Sequence, residues 1–243
     1  MQEIILVIVS IVAGLLGSLL GLGGGFIIVP VLSFMNISPS QIASTSLFSV
    51  LSTSSSSSIA YAKQKRIDYG LALRLSIFAI PGSILGAYLS NLISLDEFKL
   101  YFAFILLGTS VYMMYGIHKP RRILMILAYP ASFFAGVLSS LFGIGGGVVY
   151  MPLMIGLLSL STKTSSATTQ FILFLSSLTG ILTHVYFSDP DYLLASILVI
   201  GTFTGAQIGA RISLTIREEI LKKMVSIALI VIAMRMIISV LLE

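Results

Sequence analysis

The sequence predicts an all-α polytopic membrane protein made of two homologous, inverted repeats, each with one Gly-broken segment and three transmembrane helices. Three observations carry this prediction: an apolar composition, a glycine motif that occurs twice, and the distribution of basic residues. Of 243 residues, 57% are hydrophobic and 9% charged, and the mean hydropathy is +1.07, far from the composition of soluble domains. Apolar runs of about 20 residues, enough to cross a hydrocarbon core, fill the chain. Residues 1–243 therefore read as a single multi-pass domain of the cell membrane, with the lipid bilayer as its first partner.

The motif runs from Ala13 to Pro30 and returns from Ala135 to Pro152. Gly14 and Gly136, Gly21 and Gly143, Gly25 and Gly147, and Pro30 and Pro152 are each 122 residues apart. The chain is thus read as a duplication, with repeat 1 over residues 1–118 and repeat 2 over 119–243. Three consecutive glycines interrupt a helix, because glycine has the most backbone entropy to lose. In lipid, the freed N–H and C=O groups must be buried in protein or face a watery cavity. Paired Gly/Pro-interrupted segments at matching places in two halves point to a transporter's binding site.

The elements follow in order. The Gly-broken segments span about 4–35 and 123–159. The first half adds spans at about 44–62, 69–89 and 98–115, and the second at about 168–187, 192–210 and 220–238. Asp68-Tyr69 matches Asp191-Tyr192, while Gly82 and Gly86 match Gly205 and Gly209, now 123 residues apart. One residue has been inserted between these motifs and the glycine breaks. Met1-Gln2-Glu3 offers no basic n-region, so the first apolar run is expected to stay in the protein.

Eight full crossings with parallel halves would divide the basic residues 8 to 6 between the two sides. If each Gly-broken segment instead enters and returns on one side, as a re-entrant or hairpin element, 12 of the 14 basic residues lie inside and only Lys99 and Arg235 outside. The positive-inside rule favours this second threading, with inverted repeats and both termini outside. Cysteines placed at Ser38 and Ser94 should then be labelled from the outer face. Inversion sets the two breaks against each other near the bilayer centre, where half-helices starting at Phe26 and Val148 present N–H groups and a partial positive charge. That is an anion site.

The candidate substrate-binding residues are Gly23, Gly24, Gly25 and Phe26, their counterparts Gly145, Gly146, Gly147 and Val148, and the neutral donors Thr45, Ser46, Thr168, Thr169 and Gln170. Close helix packing by small residues is the competing explanation for the glycines. The hydroxyl-rich stretch from Ser52 to Ser58 reads as helix, because its repeat partner lies inside an apolar span. Gln170 and Gln207 sit within spans and need hydrogen-bond partners there. His184, opposite Tyr61 in the other repeat, could gate or carry a proton; its alternative is a histidine bonded to a neighbouring carbonyl. Arg74, Arg211 and Arg235 lie near span ends, where long side chains reach the interface.

Other classes fit poorly. The nine acidic residues fall in loops or near span ends, leaving no central carboxylate for a cation pump. With no cysteine and two histidines, a metal site is not expected, nor is a cofactor, and no nucleophile–base set suggests an enzyme. The net charge of +5 sits in loops that anchor topology, so nucleic acid is not an expected partner. The motif Gly21-x-Gly23-x-x-Phe26 lacks the third glycine of a dinucleotide loop.

These residues resemble the sulfite exporter TauE/SafE family of membrane proteins. The resemblance rests on the two Gly-x-Gly-Gly-Gly segments ending at Pro30 and Pro152, on Ala43 to Phe48, on Ala60-Tyr61 through Arg66-Ile67-Asp68-Tyr69, and on Ala167 to Phe171 through His184. Thr169 stands where a serine is common, and Asp189-Pro190-Asp191 replaces a Gly-containing turn. The resemblance implies a secondary transporter that exports a small anion such as sulfite or an organosulfonate. Proton-coupled anion uptake and a non-transporting structural or regulatory subunit are the alternatives. The identity of the anion and the oligomeric state stay open at this level.

Overall fold

The computed structural model describes residues 2–35, 37–115 and 125–242. His118, Lys119, Arg121, Arg122 and the expected repeat boundary lie outside the described residues. Regular structure among the described residues is entirely helical: α1 Gln2–Leu20, α2 Gly25–Ser33, α3 Pro39–Lys63, α4 Tyr69–Leu89, α5 Leu95–Tyr115, α6 Met125–Phe142, α7 Gly147–Pro152, α8 Thr162–Phe187, α9 Tyr192–Ile212 and α10 Glu218–Leu242. Of these, α4, α8 and α9 are long and apolar enough to cross a bilayer by length and composition.

Local chemistry sets the boundaries. Ser38, Asp68, Ser161 and Asp191 cap α3, α4, α8 and α9, each accepting from a main-chain N–H three residues on, which satisfies a donor the helix cannot. Ser94 and Glu97 form a capping box at α5; the N–H and hydroxyl of Ser94 hold the Glu97 carboxyl below the usual carboxylate range. Helix α3 runs unbroken through its serine stretch, where the hydroxyls from Ser52 to Ser57 have nearby acceptors. Ser55 and Ser57 bond back to Leu51 O and Thr53 O at 2.6 Å, while Ser52 and Ser56 reach across to Val199 O and Phe203 O in α9 at 2.8 Å.

Contacts between helices fix the chain directions. Ser52 and Ser56 of α3 and Gln64 at its C-terminal cap meet Val199, Phe203 and Ala210 of α9 in rising order, so α3 and α9 are parallel. Gly205 lies on Ile11 and Gly209 on Leu15, making α1 parallel to α9; Gly82 lies on Phe133 and Gly86 on Val137, making α6 parallel to α4. Thr168 and Ser176 of α8 meet Asp68 and Ser83, so α8 follows α4. Through Thr45, the start of α3 meets Asp191 in the turn that joins the end of α8 to α9, so the two groups are antiparallel. Helix α1 therefore runs opposite to α6. Because α1 and α3 run the same way, α2 must bring the chain back between them.

The loops gather at two ends. One end joins Arg66 to Lys163 O at 2.8 Å and to Ser213 Oγ at 2.9 Å. The other joins Thr45 to the Asp191 N–H and Ser188 to Asn91. Helices α5 and α10 pack on each other to one side, and Lys99, near the start of α5, is buried.

The spacing between matching motifs grows from 122 to 123 residues after α7. Directly after α7 the chain makes a π-helical turn over Leu153–Leu157, with bonds from Leu158 N to Leu153 O and Leu160 N to Met154 O. A π turn holds one more residue than an α turn. It falls between Pro152, which is 122 residues from Pro30, and Ser161, which is 123 from Ser38, the interval that absorbs the extra residue.

Candidate anion site at the paired glycine breaks

Helix α1 ends at Gly21, whose φ is +71°. Leu22 N donates to Gly17 O at 3.0 Å and Gly21 N to Ser18 O at 3.1 Å, the bond pair of a left-handed helix stop that glycine adopts without strain. Helix α6 ends in the same way at Gly143, φ +72°, with Ile144 N on Ser139 O at 3.1 Å. The breaks differ at one position: Gly24 is right-handed, φ −73°, whereas Gly146 is left-handed, φ +75°. The half-helices begin at Gly25 and Gly147, one residue before the expected Phe26 and Val148, because each glycine takes helical torsions as soon as its turn is complete.

The structure brings the two breaks into direct contact. A methyl added at Gly25 would strike Gly143 O and Ile144 Cα, and one added at Gly147 would strike Leu22 backbone atoms. Val50 and Leu173 flank Gly23 and Gly145. The contact lies beside Ser49, Val50 and Thr53, about midway along α3. All the glycines of the two breaks, together with Phe26 and Val148, are buried. Among the described residues, the N–H groups of Gly24, Gly25 and Phe26, and those of Gly145, Gly146, Gly147 and Val148, have no hydrogen-bond partner; the first bonded ones are at Ile27 and Val149. An unpaired buried donor costs about 1–3 kcal/mol. Two sets of them lie at half-helix starts whose backbones are in contact.

Some of the expected donors reach this place. Ser46 donates to Gly143 O at 2.9 Å, and Gln170 Nε2 donates to Gly17 O at 2.7 Å. Gln170 Oε1 is buried without a partner. The Thr169 hydroxyl instead lies 3.4 Å from Met154 S, just after α7. Thr45 and Thr168 do not reach the breaks: their hydroxyls accept from the Asp191 and Asp68 N–H groups at 3.0 and 3.1 Å, at opposite ends of the bundle. Each ties one half of the chain to an interhelical turn of the other.

Sequence reasoning missed Ser49, Val50 and Thr53 against the first break and Ser139 against the second, with its hydroxyl buried and unpartnered. The signal for α3 exists as the spacing of Ser46, Ser49, Val50 and Thr53, one face of a helix. It is masked because hydroxyls occupy the other faces too.

His184 is fully buried, with Nε2 2.9 Å from Ser140 O and Nδ1 3.3 Å from Ser188 Oγ. The carbonyl can only accept, so Nε2 carries a proton. Tyr61 does the same work in the other half, donating to Ser18 O at 2.8 Å, with Arg66 over its ring at 4.7 Å. Both side chains tie a long helix to the end of a helix that leads into a break. Gln207 donates to Ser56 O at 2.9 Å as a further link between α9 and α3.

The family model for the sulfite exporter TauE/SafE matches residues 6–236. The chain belongs to this family. A probable membrane transporter, YunE of Bacillus subtilis, is 34% identical, with 98% of each chain covered. A probable membrane transporter of Methanocaldococcus jannaschii is 28% identical over 91% of this chain and 90% of its own. Another from Sinorhizobium, ORF9, is 25% identical over 95% and 90%. No solved structure matches. As a TauE/SafE member with long apolar helices, the chain is a multi-pass membrane transporter.

Proposed function

We propose that the protein exports a small anion, sulfite or an organosulfonate, through a site formed where the two glycine breaks meet. The observation that carries this reading is the contact between two glycine breaks, each with a set of buried, unpaired main-chain N–H groups at its half-helix start. Such groups bind an anion without a fixed counter-charge, which suits cargo that must also be released. Ser46 and the amide of Gln170 line the place as neutral groups; Thr45, Thr168, Thr169 and His184 support it from further away.

The same reading takes the halves as inverted repeats. Support comes from antiparallel α1 and α6, from the equivalent bonds of Tyr61 to Ser18 and His184 to Ser140, from the equivalent bonds of Thr45 to Asp191 and Thr168 to Asp68, and from Arg66 and Lys163 sharing one end. The packed breaks are a closed state. Cargo enters when the α1–α2 hairpin and the α6–α7 hairpin part toward one side, and leaves when they part toward the other. An inside-negative potential of about 100 mV drives a monoanion outward by about 2.3 kcal/mol, so export needs no coupled ion.

Single cysteines test the threading, since the chain has none. Ser38→Cys and Ser94→Cys should react with an impermeant maleimide from outside and Lys65→Cys only from inside. The reverse, or a mixed pattern within either set, would remove the inverted reading. Transport is tested in liposomes with sulfite, sulfate and a small organosulfonate, with and without an imposed potential. Saturable sulfite or sulfonate flux that follows the potential is expected. Gly24→Ala is the informative variant. Gly24 does not use a left-handed backbone, and its added methyl meets first the Thr53 hydroxyl, at 2.8 Å. It should fold normally and lose flux at least about tenfold, the effect of about 1.4 kcal/mol. Folded Gly24→Ala with full flux would move the site elsewhere, and no flux from folded wild-type protein would favour a structural subunit.

A further inference from the structure

A groove of about 420 Å³ lies between α1, α2 and α10, walled by Val9, Ile27, Val31, Ile232 and Met236. It exists because α2 is only nine residues long and leaves space between its neighbours. Its rim carries Phe34 and Arg235, with the guanidinium 4.9 Å from the ring centroid. Phe34 is 41% exposed and directly follows α2, beside the loop into α3, so the rim stands at a membrane surface while the apolar walls lie at acyl-chain depth. Arg235 is the single charged side chain of the lining.

We propose that this groove is a specific site for one acyl chain of an anionic phospholipid, with Arg235 on the lipid phosphate. The walls offer only apolar contact, which a bilayer supplies with hydrocarbon. A guanidinium forks onto phosphate oxygens. The face of Phe34, which would otherwise attract a choline headgroup, is already covered by Arg235, so a zwitterionic lipid gains less. The site is independent of the transported cargo.

The chain contains no tryptophan, so Phe34→Trp supplies a unique reporter that keeps the stacked ring. In liposomes of phosphatidylcholine doped with brominated phosphatidylglycerol or, separately, brominated phosphatidylcholine, the anionic lipid should quench the introduced indole with about fivefold higher apparent affinity, the effect of one basic side chain near an anionic surface. The preference should vanish in Phe34→Trp/Arg235→Gln and be absent for Ile77→Trp, on the exposed face of α4. Equal quenching of the Phe34→Trp protein by both lipids would overturn the proposal. So would no quenching by either, the sign of a second copy covering the groove. Phe34→Trp/Ile232→Phe narrows the groove and leaves the charge: loss of the preference supports a seated chain, and its survival shows headgroup attraction alone and overturns the site. Relief of quenching by inorganic phosphate at constant ionic strength would likewise assign Arg235 to free anion.

Discussion

Alanine at Gly25 should abolish accumulation of folded protein, and alanine at Gly147 should do the same. Neither glycine has an unusual φ, so the effect arises from space and not from torsion. At Gly25 the new methyl would meet Gly143 O and Ile144 Cα; at Gly147 it would meet the Leu22 backbone. Overpacking costs roughly 1–3 kcal/mol where side chains can turn aside. Backbone cannot turn aside, and each contact is one break pressed on the other, so the cost should reach or exceed the top of that range. Folded yield by size-exclusion chromatography in detergent would measure it. Beside the mild Gly24→Ala variant, this separates the two roles of the motif: Gly25 and Gly147 let the breaks touch, whereas Gly24 keeps open the space beside its N–H. A well-folded Gly25→Ala protein would mean that the breaks stand apart.

Gly82→Ala and Gly205→Ala should destabilise the protein strongly and by similar amounts, each by roughly 2–3 kcal/mol. Both are helical glycines, so alanine favours the isolated helix by about 1 kcal/mol and the loss must come from packing. At Gly82 the methyl would meet Phe133 O and push α4 off α6; at Gly205 it would meet Ile11 O and push α9 off α1. Small residues bring membrane helices close enough for backbone contact. Gly108 is the control, with nothing within 4 Å of an added methyl, and Gly108→Ala should be neutral or slightly stabilising. Thermal unfolding in one detergent would compare all three. A large effect at Gly82 with none at Gly205 would break the equivalence of the α4–α6 and α9–α1 pairs.

Much of the molecule was legible because its signals are local or repeated. The spans expected to begin at 69 and 192 start where α4 and α9 do, and the glycine breaks fall where three consecutive glycines interrupt apolar runs. The roles of the polar residues were less legible. Thr45 and Thr168 carry the same sequence signal as Ser46 and Thr169, one position away. Yet that one position, about 100° around the helix axis, separates the hydroxyls that receive a turn N–H from that of Ser46, on Gly143 O, and that of Thr169, on Met154 S. His184 offered a titratable ring to a sequence reading, and its geometry repeats that of Tyr61.

Read alone, the amino-acid order already makes this an all-helical membrane protein of the sulfite exporter TauE/SafE family, because apolar length, glycine breaks and a doubled motif are properties of the chain in one dimension. Which atoms those breaks expose, and to what neighbours, is a matter of packing. Gly25 rests on Gly143, Gln170 holds the Gly17 carbonyl from 153 residues away, and Phe34 lies under Arg235. Such distant pairs follow from helix direction and packing angle, which no local pattern encodes.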